Sequence, residues 1–185
     1  CVVIARTFLD ESYAVVVVGD SVTAMSEAQI QATVHRAGGV KVSGHPGYRT
    51  DELLPVADPL FHDRPPPEVG VVMSGYNDIL HHVDPTEAIV EMMGWLDELD
   101  CGIWLLIPTK GVFPADDLTR FNEQVQFVAA TTEDVHIETG WRDAVDATDD
   151  HVPDRDLVGE DLLHPTEEGS QVIADSMAEA IERWC

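Results

Sequence analysis

The chain has 185 residues, 44% of them hydrophobic, and its 35 Asp and Glu against 10 Lys and Arg give a formal charge of −25. That length and apolar content suffice for one domain with a full core over residues 1–185. The charge makes nucleic acid and anionic membrane surfaces poor partners, because every approaching phosphate would be repelled, and no nucleic acid is expected.

The chain begins at Cys1 rather than Met, as a processed or excised piece would, and Arg6 and Asp10 follow too soon for Cys1 to Ala5 to read as a leader. The first strong element is Ala14 to Val18, four valines in a row after an alanine. Such a run reads as a strand buried on both faces, as in a parallel sheet. Gly19 and Asp20 end it, and Ser21 stands where the chain leaves the sheet for a helix predicted over Val22 to Ala37, stopped by Gly38-Gly39. Val40 to Ser43 reads as a short strand. The loop Gly44-His45-Pro46-Gly47-Tyr48-Arg49-Thr50 follows, with Asp51 to Pro55 as a brief helix and Arg64 to Pro67 as a rigid spacer.

Val69 to Ser74 is the third strand, running into Gly75-Tyr76-Asn77-Asp78. A helix is predicted from Thr86 to Leu99, opened by Pro85 and carrying Ala88, Ile89, Met92, Trp95 and Leu96 as its apolar stripe. Gly102 to Ile107 is the fourth strand, Asp116 to Ala130 a helix and Val135 to Glu138 a weak fifth strand. Asp143 to Glu160 is acidic and reads as irregular. Asp161-Leu162-Leu163-His164-Pro165 precedes a final helix from Thr166 to Trp184. No apolar run approaches the ~20 residues that a membrane-spanning helix needs. Strands alternating with helices imply an α/β fold with a parallel sheet of five strands between two helical layers.

All strand-end loops of a parallel sheet converge on one edge. Ser21, Gly47, Asn77, Asp161 and His164 would meet there: a hydroxyl, a flexible backbone N–H, an amide, a carboxylate and an imidazole. This is the set that acyl transfer requires, namely nucleophile, oxyanion donors, base and orienter. Each has a plainer reading alone. Ser21 could be a helix cap, Asn77 and Asp78 a turn, Gly47 the turn after Pro46, His164 a surface histidine, Asp161 one more charge. It is their joint order that points to chemistry.

That order resembles the GDSL, or SGNH, hydrolase family. Gly19-Asp20-Ser21 is similar to its first block, Gly44-x-x-Gly47 to its second, Gly75-Tyr76-Asn77-Asp78 to its third and Asp161-x-x-His164-Pro165 to its last. The blocks span residues 19 to 165. The resemblance implies a three-layer α/β/α sandwich with flavodoxin-like strand order 2-1-3-4-5, and ester hydrolysis without a cofactor. It implies Ser21, Asp161 and His164 as the catalytic residues, and Ser21, Gly47 and Asn77 as the oxyanion hole. His45, Tyr48 and Tyr76 are then placed to line the substrate pocket.

The reading this supports is a serine esterase acting on a small-molecule or carbohydrate ester of a small acyl group, O-acetyl in particular. An O-acyltransferase, a thioesterase or lysophospholipase, and an inactive carbohydrate-binding module of the same fold are the other readings. His81, His82 and Asp84 do not have the spacing of a metal site, so no metal is expected. Of the three cysteines, Cys1 and Cys185 lie at the two ends, where a disulfide in an extracytoplasmic setting is one reading and free thiols the other.

Overall fold

The computed structural model describes residues 13–62, 64–148 and 151–185. Five strands form one parallel sheet: β1 (Val15–Gly19), β2 (Val40–Gly44), β3 (Val69–Met73), β4 (Cys101–Leu105) and β5 (Val135–Glu138), in the order β2-β1-β3-β4-β5. This is the strand order that the resemblance implies. The valine run of β1 lies between β2 and β3, so both its faces are covered, and Val15 to Val18 are at most 3% exposed. Burying each such side chain stabilises the fold by about 1.5–3 kcal/mol. β2, at the edge, is only half-buried along its length.

Two sets of helices cover the sheet. α3 (Thr50–His62), α5 (Thr86–Asp97) and α6 (Ala115–Ala129) pack on one another, and α2 (Glu27–Thr33), α7 (Gly140–Asp146) and α8 (Glu167–Trp184) form the other set. Short helices follow β1 and β3: α1 (Ser21–Met25) and α4 (Tyr76–Leu80). No helix among the described residues is long and apolar enough to cross a membrane.

Four elements differ from the sequence expectation. The helix predicted over Val22 to Ala37 breaks at Ser26, whose hydroxyl bonds back to the Val22 carbonyl at 2.9 Å and competes with the helical ladder. α3 runs through Pro55 and Pro59 to His62, where a stop at Pro55 was expected. Leu53, Ala57 and Phe61 sit four residues apart on its buried face, and that packing outweighs the backbone bonds the prolines remove. α4 forms where a strand-end loop was expected. α7 forms inside the acidic stretch because Trp141 and Val145, one helical turn apart, are both fully buried.

The cysteine pairing is also corrected. Cys185 is bonded to Cys101, with Cα atoms 5.7 Å apart, and tethers the end of the chain to the start of β4. Neither a Cys1–Cys185 bridge nor a free Cys185 is compatible with this bond, and Cys1 lies outside the described residues. A link closing 84 residues stabilises by about 4–5 kcal/mol in the chain-entropy account.

Candidate active site

The sheet edge at which the strands end is built for close approach. Gly19 and Gly44 face one another in register across β1 and β2. A side chain on Gly19 would run into the Thr23 hydroxyl and the Met73 carbonyl, and one on Gly44 into the backbone of Ala24. α1 therefore sits directly on the strand ends, and Ser21 opens it. Asp20 caps the helix, its Oδ1 accepting from the Val22 N–H at 3.0 Å.

The sequence brings in a second side of the site 143 residues later. His164 Nε2 lies 2.9 Å from Ser21 Oγ, and His164 Nδ1 lies 2.7 Å from Asp161 Oδ2. A carboxylate only accepts, so Nδ1 carries a proton toward Asp161 and neutral Nε2 is left to accept from the Ser21 hydroxyl. The 161–164 turn is held locally. Asp161 Oδ1 accepts from the N–H groups of Leu163 and His164, at 3.1 and 3.0 Å. Leu162 adopts a left-handed φ of +60°, unusual for a branched residue, which turns the chain within that short span. The Gly159 N–H bonds to the His164 carbonyl at 2.8 Å, and Val158 bridges to Pro165. Thr166 then caps α8, accepting from the Gly169 N–H at 3.1 Å.

The third side is the loop of residues 45–49. The His45 N–H bonds to the Gly19 carbonyl at 2.8 Å, and Asn77 Nδ2 donates to the Tyr48 carbonyl at 3.0 Å. Gly47 lies between these anchors with φ +84°. A Cβ there would meet nothing within 4 Å, so it is backbone conformation, not space, that favours glycine. The Asn77 amide has two N–H groups, and one is spent on Tyr48.

The pocket candidates divide. The His45 ring is held by Ser43 Oγ at 2.9 Å and lies against Tyr48, ring centroids 5.1 Å apart, with Tyr48 40% exposed. Tyr76 turns inward, buried, 6.4 Å from the Phe113 ring. Arg49 is held by Asp51 and Glu52. His81 and His82 are exposed beyond α4, and Asp84 Oδ1 accepts from the N–H and hydroxyl of Thr86 at the start of α5.

Two buried carboxyls underlie the site, and a reading of sequence alone missed what holds them. Asp78 accepts from the Thr50 N–H and, at 2.9 Å, from the Thr50 hydroxyl, which also meets Ser74 Oγ at 3.0 Å. These bonds join the start of α3 to α4 and so fix the loop of Gly47 relative to Asn77. Burial raises the Asp78 carboxyl above the usual range, although the Thr50 bonds oppose it. Nothing in the sequence pairs Thr50 with a residue 28 positions away. Asp20, fully buried, is pushed up to about 7 by desolvation, against the Val22 N–H. Asp161 goes the other way. Its partial burial raises it, but the bonds from His164 and the two backbone N–H groups more than offset this, leaving it below the usual carboxylate range.

A search of curated proteins by sequence found no match. Among solved structures, the C-terminal catalytic domain of peptidoglycan O-acetyltransferase A from Streptococcus pneumoniae superposes with a TM-score of 0.75 at 14% identity, covering 93% of this chain and 94% of that one. A GDSL-like lipase from Bacteroides thetaiotaomicron gives 0.70 at 16%, covering 94% and 89%. An acetylxylan esterase from Geobacillus stearothermophilus gives 0.65 at 16%, covering 90% and 93%. At these identities the likeness is one of fold. The sequence profile of the GDSL-like Lipase/Acylhydrolase family matches residues 17–172, nearly the whole of the chain and all four blocks. On that match, the chain belongs to the GDSL-like Lipase/Acylhydrolase family.

Proposed function

We propose that this protein is a serine ester hydrolase that removes small acyl groups, acetyl first among them, from carbohydrate hydroxyls through an acyl-enzyme on Ser21. The observation that carries the reading is the hydrogen-bonded file Ser21 Oγ, His164 Nε2, His164 Nδ1, Asp161 Oδ2, with links of 2.9 and 2.7 Å, at the carboxyl end of β1.

In this mechanism His164 Nε2 takes the Ser21 proton as Oγ bonds to the ester carbonyl carbon, and the carbonyl electron pair moves onto its oxygen. Asp161 holds the imidazole in the accepting tautomer and stabilises it once protonated. The N–H groups of Ser21 and Gly47 and the other N–H of Asn77 hold the oxyanion. Collapse breaks the bond to the sugar oxygen, which leaves with the proton from His164. Water, deprotonated by His164, then attacks the acyl-enzyme, and acetate and free Ser21 are regenerated.

The openness of the site favours a carbohydrate chain as substrate. The Asp161 side chain is 53% exposed and that of His164 31%, so a polymer can lie across them. Exposed Tyr48, lying against the partly buried His45 ring, offers an aromatic surface on the Gly47 loop for a sugar face. The Cys101–Cys185 bond fits an oxidising compartment. The acetylxylan esterase and O-acetyltransferase neighbours both handle acetyl groups by their names. Transfer to a sugar hydroxyl is the second reading, since the same open approach admits an alcohol in place of water.

Acetyl, butyryl and octanoyl esters of one chromogenic alcohol, with and without an oligosaccharide acceptor, test it. Turnover should be fastest on acetate and absent in Ser21→Ala. Acetylated acceptor in the products would mean transfer, and no turnover of any ester would sink the enzyme reading.

A further inference from the structure

Asp20 is the carboxyl nearest the nucleophile in sequence, and the scheme above gives it no part. It is 0% exposed. Oδ1 takes the Val22 N–H, while Oδ2 is buried and accepts no hydrogen bond from any described residue. An ionised carboxylate with one unpaired oxygen is among the costliest groups to bury, and its neutral acid form costs far less. The groups that act on it from the surrounding elements do little to help the charged form. Asp78, from α4, is a second buried carboxyl and opposes a charge on Asp20. Tyr76, also from α4, is a neutral phenol whose ionisation is pushed well up by burial and then by Asp20. His164, from the loop before α8, favours the charge only when it is itself protonated, and it acts more weakly than Asp78.

We propose, resting on the esterase reading above, that Asp20 is a positioning residue whose working form is the neutral acid: uncharged, it caps the first turn of α1 without placing negative charge beneath Ser21, and its ionisation slows acyl transfer. The oxyanion of the tetrahedral intermediate is held in part by the Ser21 N–H, one residue from this carboxyl. A negative charge on Asp20, itself fully buried and so poorly screened by solvent, repels it. Ionised Asp20 does favour the imidazolium of His164. Asp161 already serves that role from a direct bond of 2.7 Å, so the gain is small beside the loss at the oxyanion. With Asp20 raised to about 7, the working form falls away just as the solution turns alkaline.

The test is the pH dependence of kcat on a chromogenic acetate ester, under conditions where chemistry limits, for wild type, Asp20→Asn and Asp20→Ala. Asparagine keeps the cap oxygen and cannot ionise. Wild-type kcat should fall about tenfold per pH unit above neutrality. Asp20→Asn should lose that fall and exceed wild type by about tenfold or more near pH 9. Asp20→Ala, lacking the cap oxygen, should be slower than Asp20→Asn at every pH. Infrared difference spectra of wild type minus Asp20→Asn give a reading that needs no turnover. They should contain a carboxylic-acid carbonyl band that disappears as pH rises through neutrality. An alkaline fall that persists in Asp20→Asn, a wild type without such a fall, or the absence of that band would overturn the proposal. Failure of the esterase reading is distinguishable, because it would abolish turnover of every ester while the infrared band still reports on Asp20.

Discussion

Two aspartates stand on either side of Ser21 and His164, and their surroundings set them to opposite ends of the carboxyl range. Asp20 is fully buried at the start of α1, one of its oxygens has no hydrogen-bond partner among the described residues, and burial raises it to about 7. Asp161 is half-exposed, accepts three hydrogen bonds through its two oxygens, and lies below the usual range despite its partial burial. The residue type is the same and both stand in the blocks that define the site. The difference is made by desolvation on one side and by donors on the other. One is suited to stay neutral and hold a helix. The other is suited to stay charged and hold an imidazole.

The largest expected effect removes what lies between them. Ser21→Ala should lower kcat on acetate esters by about 10⁴–10⁶-fold, since removal of a nucleophile collapses the whole unit. Its thermal melt should move little, because a half-buried hydroxyl is lost and no core contact with it. A variant that retains a tenth of wild-type activity would place the nucleophile elsewhere. Asp161→Asn comes next, with a fall in kcat of about 10²–10⁴-fold, because an amide can donate to Nδ1 and so favour the wrong tautomer. If Asp161 acted only as a turn former, the asparagine would preserve turnover.

Asn77→Ala tests the third side of the site. One of its N–H groups serves Tyr48, and in the proposed mechanism the other meets charge that exists mainly in the transition state. Its loss should cost about 10²–10³ in kcat with little change in KM. A loss below tenfold with an unchanged melt would reduce Asn77 to a tether for the Tyr48 loop.

Stability separates the two aspartates by sign. Asp20 binds a proton more tightly folded than unfolded, since its folded value of about 7 lies above its ordinary 3.8. Between those values the unfolded chain has given up the proton and the native chain has not, so stability falls as pH rises from about 4 to about 7. The full shift corresponds to about 4 kcal/mol. Asp20→Asn cannot ionise, so the gap between its melt and that of wild type should shift in its favour across that window. A gap that stays constant with pH would mean that Asp20 is not buried as a neutral acid.

Much of this was legible in the sequence, and what was not shares a cause. The valines of β1 and the apolar runs of β3 and β4 read as strands buried on both faces, the pattern that parallel sheets covered by helices favour. The four blocks lie in loops at strand ends, where the structure gathers Ser21, Asn77, Asp161 and His164. What escaped depends on neighbours distant in the chain. α3 passes two prolines because Leu53, Ala57 and Phe61 pack. α7 forms among acidic residues because Trp141 and Val145 do. Cys185 meets Cys101, and Thr50 meets Asp78. The contrast between Asp20 and Asp161 belongs here too: burial and donor count are properties of the folded surroundings, and sequence shows only two aspartates.

The smallest expected effect is the stability of Asp161→Asn. A carboxyl held below its ordinary value stabilises the fold above its unfolded pKa, and that contribution is lost as pH falls through the folded value. The sign is therefore opposite to that of Asp20, and wild type should be the more stable partner near neutrality. The magnitude is limited by exposure. With 53% of the side chain in solvent, screening leaves less than about 1 kcal/mol, comparable to an exposed ion pair. The measurement is the melt of both proteins from neutral pH downward. The difference should shrink toward zero in acid, where both side chains are uncharged. It should also shrink as salt is added at neutral pH, since an exposed charge is screened and a buried one is not. A wild-type advantage of several kcal/mol, or one that salt does not touch, would mean that the 161–164 turn depends on the buried side of the site for its charge as well as its shape.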